Sequence, residues 1–123
     1  MDRNITVDPK DAQDNKIMGI LAYLGILVLV PILAAKDSPF AKFHANQGLI
    51  ILIAWIALNV VLFILSFIFA FVFSSFFLYR IFQLLYGLAG LGYAVLAIIG
   101  IIGANNGETK ELPVVGNLIT IIK

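Results

Sequence analysis

Three long runs of apolar residues, separated by short polar segments, dominate the chain. Residues 17–35, 45–79 and 81–107 contain no Asp, Glu, Lys or Arg. The hydrocarbon core of a bilayer is about 30 Å thick, so a helix needs roughly 20 apolar residues to cross it. The pattern therefore predicts three membrane-spanning helices, at about 17–35, 47–70 and 81–104.

The two ends of the chain have different patterns. Residues 1–16 are mostly polar, which predicts a flexible, solvated tail, while residues 17–123 are predicted to form one membrane domain. The last apolar stretch, residues 112–122, is too short to cross a bilayer. It therefore predicts a short interfacial or re-entrant helix.

Local signals place the breaks between these runs. Pro31 lacks an N–H group, which predicts a kink near the end of the first span. Residues 36–44, KDSPFAKFH, predict a turn and a short segment at the lipid headgroups, with aromatic rings inward and charges outward. Ser74 and Ser75 lie among Phe and Tyr residues, and this pattern predicts a turn at the membrane interface.

The composition supports a membrane protein. The chain is 62% hydrophobic and 12% charged, whereas a soluble domain is about a quarter charged. We therefore predict an all-α integral membrane helical bundle, with three transmembrane helices, a short C-terminal helix and the lipid bilayer as its partner. The formal charge of +1 gives no basic patch for nucleic acid, and the absence of Cys excludes disulfides and thiolate metal sites.

Neither orientation nor enzymatic activity is indicated by the charged residues. With three spans, one side of the membrane holds Arg3, Lys10, Lys16 and Arg80, and the other holds Lys36, Lys42, Lys110 and Lys123. This balance gives no orientation by the positive-inside rule.

A lone His, with no Asp or Glu inside a span, matches neither an intramembrane protease nor a metal site. We expect no enzymatic activity and no cofactor.

Small residues follow the third predicted span at spacings of three and four. The stripe consists of Gly87, Gly90, Ala94, Ala97, Gly100, Ala104 and Gly107. Small side chains let two membrane helices approach closely. The stripe therefore predicts packing against the other helices of the same chain, or an interface with a second copy or another membrane protein.

A few polar side chains are candidates for function. His44, Asn46 and Gln47 follow Phe43 at the start of the second span, where they are predicted to cap the helix and hold the first connector. A pH-sensing role for the histidine is the alternative. Asn59 lies deep in the same span, and it predicts either a hydrogen bond between helices or a residue on a substrate pathway.

Two stretches resemble a known family. Residues 14–48, DNKIMGILAYLGILVLVPILAAKDSPFAKFHANQG, and residues 92–116, GYAVLAIIGIIGANNGETKELPVVG, resemble a Tic-twenty-like family of small bacterial membrane proteins. That family is related to a component of the chloroplast inner-envelope protein translocon. The resemblance implies an all-helical bundle in the bacterial cytoplasmic membrane. The matching residues are Phe43, His44, Asn46, Gln47, Gly48, Gly107, Leu112 and Pro113.

The predicted function follows from this resemblance and from the small-residue stripe. We expect a subunit of a membrane complex, with a role in protein transport implied by the resemblance. A structural or stress-related envelope protein without a ligand is one alternative. A small-molecule or ion conduit is another, although Asn59 is nearly alone as a polar residue to line it.

Overall fold

The computed structural model describes residues 7–109 and Leu112, and this part of the chain is helical, as predicted. Pro113 and the rest of the predicted C-terminal helix, together with residues 1–6, lie outside the described residues. The elements are α1 (Pro9–Asp14), α2 (Lys16–Leu21), a 3-10 helix (Gly25–Val28), α3 (Leu29–Ala34), α4 (Pro39–Phe73) and α5 (Phe76–Asn105).

The two long helices form an antiparallel hairpin. Helix α4 has 35 residues and α5 has 30, which correspond to about 52 and 45 Å. Helix α4 ends at Ser74, which adopts the left-handed conformation (φ 46°), and α5 begins after Ser75, whose hydroxyl accepts from the Leu78 N–H. The predicted turn at Ser74 and Ser75 is therefore confirmed.

Only α4 and α5, among the described helices, are long and apolar enough to cross a membrane, so the prediction of three spans is wrong. The first predicted span, 17–35, is broken into α2, the 3-10 helix and α3. The chain turns at Gly25, whose φ of +63° is favourable only for glycine. Pro31 lies in the first turn of α3, where its missing N–H has no intrahelical partner to lose, and the predicted kink stays a prediction.

The polar N-terminal residues are also more ordered than the sequence predicts. Instead of a solvated tail throughout, residues 9–14 form α1. The side chain of Asp8 caps this helix by accepting from the Lys10 N–H, and Pro9 occupies its first position. Ala12 is buried against Phe40 of α4 and Ala104 of α5, which holds α1 against the long helices.

Burial divides the protein into two parts. We call the first part the base: residues 7–51, residues 97–109 and Leu112. Almost all buried side chains lie there, and the largest are Tyr23, Phe40, His44, Gln47, Val28 and Pro31.

The second part is the outer hairpin, residues 52–73 and 76–96. Its surface is apolar, and Phe71, Phe76 and Phe77 near the turn are 84%, 75% and 71% exposed. Water-soluble monomers rarely expose an apolar surface of this extent. The outer hairpin has the character of a lipid-facing surface, with aromatic rings at one end.

Candidate functional site

His44 lies at the centre of the base, with a partner on each ring nitrogen. Its Nε2 is 2.7 Å from the main-chain oxygen of Glu108, and its Nδ1 is 2.6 Å from the Tyr23 hydroxyl. A carbonyl oxygen can only accept, so Nε2 carries the proton and donates it. In the neutral imidazole, Nδ1 then accepts from Tyr23.

Aromatic rings surround this pair. The edges of Tyr23, Phe40 and Phe43 meet His44 at centroid distances of 5.5, 4.7 and 5.2 Å. A phenol is protonated at neutral pH, so the Tyr23 hydroxyl has a proton to donate to the ring nitrogen. The arrangement joins three segments that are far apart in the sequence: the end of α2, the start of α4 and the residues after α5.

Gln47 makes a second link one helical turn further along α4. It is buried, and its Oε1 accepts from the Leu112 N–H at 2.9 Å. His44 and Gln47 thus both bind main-chain groups that follow α5. Asn46 is also buried, but it lies inside α4 and does not cap it. The Ser38 hydroxyl is the cap, since it accepts from the Ala41 N–H at 3.0 Å.

A second polar cluster centres on Asp11 of α1. Its Oδ1 accepts from the Ser38 hydroxyl at 2.6 Å and from the Asn15 side chain at 2.8 Å, and its Oδ2 accepts from the Phe40 N–H at 3.1 Å. Burial alone would raise the pKa of Asp11, but these hydrogen bonds lower it by more, so the net pKa lies below 3.8. A carboxylate at this helix start is also favoured by the dipole of α4.

The sequence did not predict the Asp11 cluster. Asp8, not Asp11, caps α1, and Asp11 instead accepts from groups at the start of α4. The Ser38-Pro39 pair could have indicated that a carboxylate binds here. A serine before proline is a common helix start, and the N–H groups at a helix start attract a carboxylate. The sequence gives no indication of which carboxylate fills that place.

The small-residue stripe of α5 divides into two halves. In the half near the base, Ala97, Gly100 and Ala104 are buried, and Gly100 lies directly against the Tyr23 ring. In the other half, Ala94 is exposed, and no described atom lies within 4 Å of a Cβ built at Gly87 or Gly90. The last residue of the stripe follows the helix: Gly107, with a φ of +72°, lies near Ala12.

The interior of the hairpin is held by aromatic contacts. Asn59 donates from Nδ2 to the Trp55 carbonyl in its own helix at 2.7 Å, in place of the predicted hydrogen bond between helices. The two long helices meet instead through Trp55 and Tyr93, whose ring centroids are 5.6 Å apart, and through Phe69 and Phe82 at 5.9 Å.

A cavity of about 350 Å³ lies beside His44, with mostly apolar walls that include Ile99, Gly100, Ile102 and Leu112. Both ring nitrogens of His44 already have partners within the protein. Among the described residues, no group of three or more His, Asp or Glu side chains could hold a metal ion. The hydrogen bonds at His44, Gln47 and Asp11 all join parts of the base to one another.

Comparison with known proteins identifies a different family from the one that the sequence motifs suggested. Residues 14–119 match the magnetosome magnetite crystal formation protein family. The magnetosome protein MamF of Magnetospirillum gryphiswaldense is 28% identical over 125 residues, covering 99% of this chain and all of the relative. MamF of Paramagnetospirillum magneticum is 32% identical over 106 residues, covering 86% of this chain and 83% of the relative.

A third relative matches over a shorter stretch. The magnetosome protein MmsF of Paramagnetospirillum magneticum is 49% identical over 35 residues, which are 28% of this chain and 33% of MmsF. No solved structure matches the chain. Because the family match covers most of the chain, the chain belongs to the magnetosome magnetite crystal formation protein family.

This membership corrects the functional predictions. The resemblance to a Tic-twenty-like family and the role in protein transport are wrong. The alternatives, a ligand-free envelope protein and a conduit, do not match the family description either. The relatives and the two apolar helices fit a membrane protein, whereas nothing in them specifies the cytoplasmic membrane.

Proposed function

We propose, from this family membership, that the chain is a membrane protein of the magnetosome and takes part in the formation of magnetite crystals. The observation that carries the proposal is the family match over residues 14–119, which includes the outer hairpin and most of the base. The two MamF relatives support it, because each aligns with most of the chain.

We assign the two parts of the molecule separate tasks within this role. The outer hairpin anchors the protein in the bilayer, since its exposed surface is apolar over both helices. The base fixes the position of the hairpin through His44, Gln47 and Asp11, whose hydrogen bonds link elements distant in sequence. The role is non-enzymatic in this proposal, and these three residues are positioning residues.

A partner in the membrane remains a prediction. The half of the α5 stripe around Gly87 and Gly90 lacks neighbours within the described part of the chain, so a helix of a second copy or of another membrane protein has room to approach it. Since the chain has no Cys, a single cysteine at Gly90 can report crosslinks without background. A cysteine at Ala97, which is buried in the base on the same helix, is the matched control.

Deletion of the gene in the bacterium that encodes the chain tests the proposed function. We expect the magnetite crystals, measured by electron microscopy, to change in size, number or shape, and to recover when the wild-type chain is restored. Gly100→Leu, which forces a side chain against Tyr23, is expected to restore them poorly, whereas Ile99→Leu on the exposed neighbouring position restores them fully. Crystals that are unchanged by the deletion would refute the proposal.

A further inference from the structure

We propose that residues 16–35, the part of the base that comprises α2, the 3-10 helix and α3, form a re-entrant segment that enters the bilayer and returns to the same side. The membrane is then crossed only by α4 and α5, so that α1 and the Lys36–Ser38 connector face the cytoplasm and the Ser74–Ser75 turn lies on the opposite side. The occupant of the exposed apolar surface is bilayer hydrocarbon. This inference rests on membrane insertion alone and is independent of the role in crystal formation.

The two ends of the segment are hydrogen-bonded to each other. Asp11, just before the segment, accepts from the Ser38 hydroxyl at 2.6 Å and from the Phe40 N–H at 3.1 Å, both just after it. A straight helix over residues 17–35 would separate its ends by about 28 Å. The contact therefore requires the chain to turn back between them.

The turn lies near the middle of the long helices. The Gly25 N–H donates to the Tyr93 hydroxyl at 3.1 Å, and the Tyr93 ring packs on Trp55, about halfway along each long helix. Main-chain groups at membrane depth need partners inside the protein. Tyr93 supplies one, and the 3-10 helix supplies others locally.

The outer surface of the segment is suited to lipid. Ile17, Ile26 and Leu33 are 68%, 72% and 67% exposed, and no charged residue occurs between Lys16 and Lys36. The inner surface packs on the long helices: the carbonyl of Ala22 lies so close to Gly48 of α4 that a side chain there would collide with it. The segment is therefore covered by protein on one face and open to hydrocarbon on the other.

With two spans instead of three, the distribution of Lys and Arg residues indicates the orientation of the protein in the membrane. Lys10, Lys16, Lys36 and Lys42 all lie in the base or its connector, whereas Arg80, one turn into α5, is the only Lys or Arg at the other end of the described hairpin. Lys and Arg are enriched on the cytoplasmic side of membrane proteins. Four lysines against one arginine place the end of the molecule that carries α1 and the Lys36–Ser38 connector in the cytoplasm.

Single cysteines in the full chain test this topology, because the native sequence has none. The positions are Lys10→Cys and Lys36→Cys on either side of the segment, Ile26→Cys at its apex, and Ser74→Cys at the hairpin turn. A membrane-impermeant maleimide is applied to bacterial spheroplasts and to inverted vesicles expressing each variant. Labelling after solubilisation in SDS confirms that each thiol is present.

We expect the Lys10→Cys and Lys36→Cys variants to react only in inverted vesicles, the Ser74→Cys variant only in spheroplasts, and the apex variant in neither. Reaction at positions 10 and 36 from opposite sides would restore the three-span arrangement and overturn the proposal. Reaction at position 26 from the aqueous phase would place the re-entrant segment outside the bilayer and also overturn the proposal. Labelling at positions 10 and 36 in spheroplasts would overturn the assigned orientation.

Discussion

Replacement of Gly100 by alanine tests the packing at the centre of the base. A methyl group at this position meets three atoms of the Tyr23 ring, which is 1% exposed and bonded through its hydroxyl to His44. The ring cannot move aside without lengthening that hydrogen bond. Gly100→Ala should therefore destabilise the protein, although alanine is the better helix former.

The size of the effect follows from three contributions. Overpacking a tight interior costs about 1–3 kcal/mol. A weakened hydrogen bond between Tyr23 and His44 adds about 1 kcal/mol. The higher helix propensity of alanine offsets about 1 kcal/mol. The expected net loss in the free energy of unfolding is about 1–3 kcal/mol.

Equilibrium unfolding in mixed micelles, with increasing SDS and with Trp55 fluorescence as the signal, measures this loss. Gly87→Ala is the matched control, because it lies on the same helix with no described atom within 4 Å of the added carbon. The control should be neutral or more stable than wild type by up to about 1 kcal/mol. A Gly100→Ala protein as stable as its control would refute the reasoning, since it would mean that Tyr23 does not occupy this space.

Three further outcomes are expected from the polar contacts of the base. Folding lowers the pKa of Asp11 below its ordinary value of 3.8, so the ionised carboxylate stabilises the folded protein fully above pH 3.8. This stabilisation is lost as the pH falls through the lower pKa of the folded state. An Asp11→Asn protein should lack this loss in acid unfolding curves. Tyr23→Phe removes the hydroxyl that donates to Nδ1 of His44 and should lower the free energy of unfolding by about 1–3 kcal/mol in the same SDS titration. The control, Tyr79→Phe at the exposed end of the hairpin, should lower it by less than about 0.5 kcal/mol. Gln47→Leu removes a buried acceptor and should speed exchange of the main-chain N–H that it binds, measured by hydrogen–deuterium exchange; unchanged protection would contradict the contact.

The hairpin was predictable from sequence because its determinants are local. An uncharged run of 35 residues, 45–79, with two serines among aromatic residues near its end, specifies two long helices and the place where they meet. The first apolar run is also uncharged and long enough, yet it is broken into α2, the 3-10 helix and α3. Its path depends on the φ of Gly25 and on the contact between Asp11 and Ser38, which are 27 residues apart. A length and hydropathy criterion cannot distinguish a spanning helix from a segment that turns back.

The His44 site was predictable only in part. Its place in the connector was anticipated, but the residue that caps α4 is Ser38, not a member of the predicted cluster of His44, Asn46 and Gln47. The partners of His44 are Tyr23 and the main-chain carbonyl of Glu108. A carbonyl belongs to every residue and leaves no sequence signal. The family was assigned wrongly because apolar helices of different families have similar sequences. The residues of the motif at 43–48 make contacts within the base, so the motif does not indicate a chemical activity.

The division between a packed base and an outer hairpin has a mechanical consequence. Residues 52–73 extend about 33 Å beyond the end of the base at residue 51, so they act as a lever arm whose pivot is the base. A tilt of about 5° at the pivot displaces the far end by about 3 Å over that length. Changes in bilayer thickness or curvature at the far end are thereby transmitted as a torque on the contacts between α2, α4 and α5.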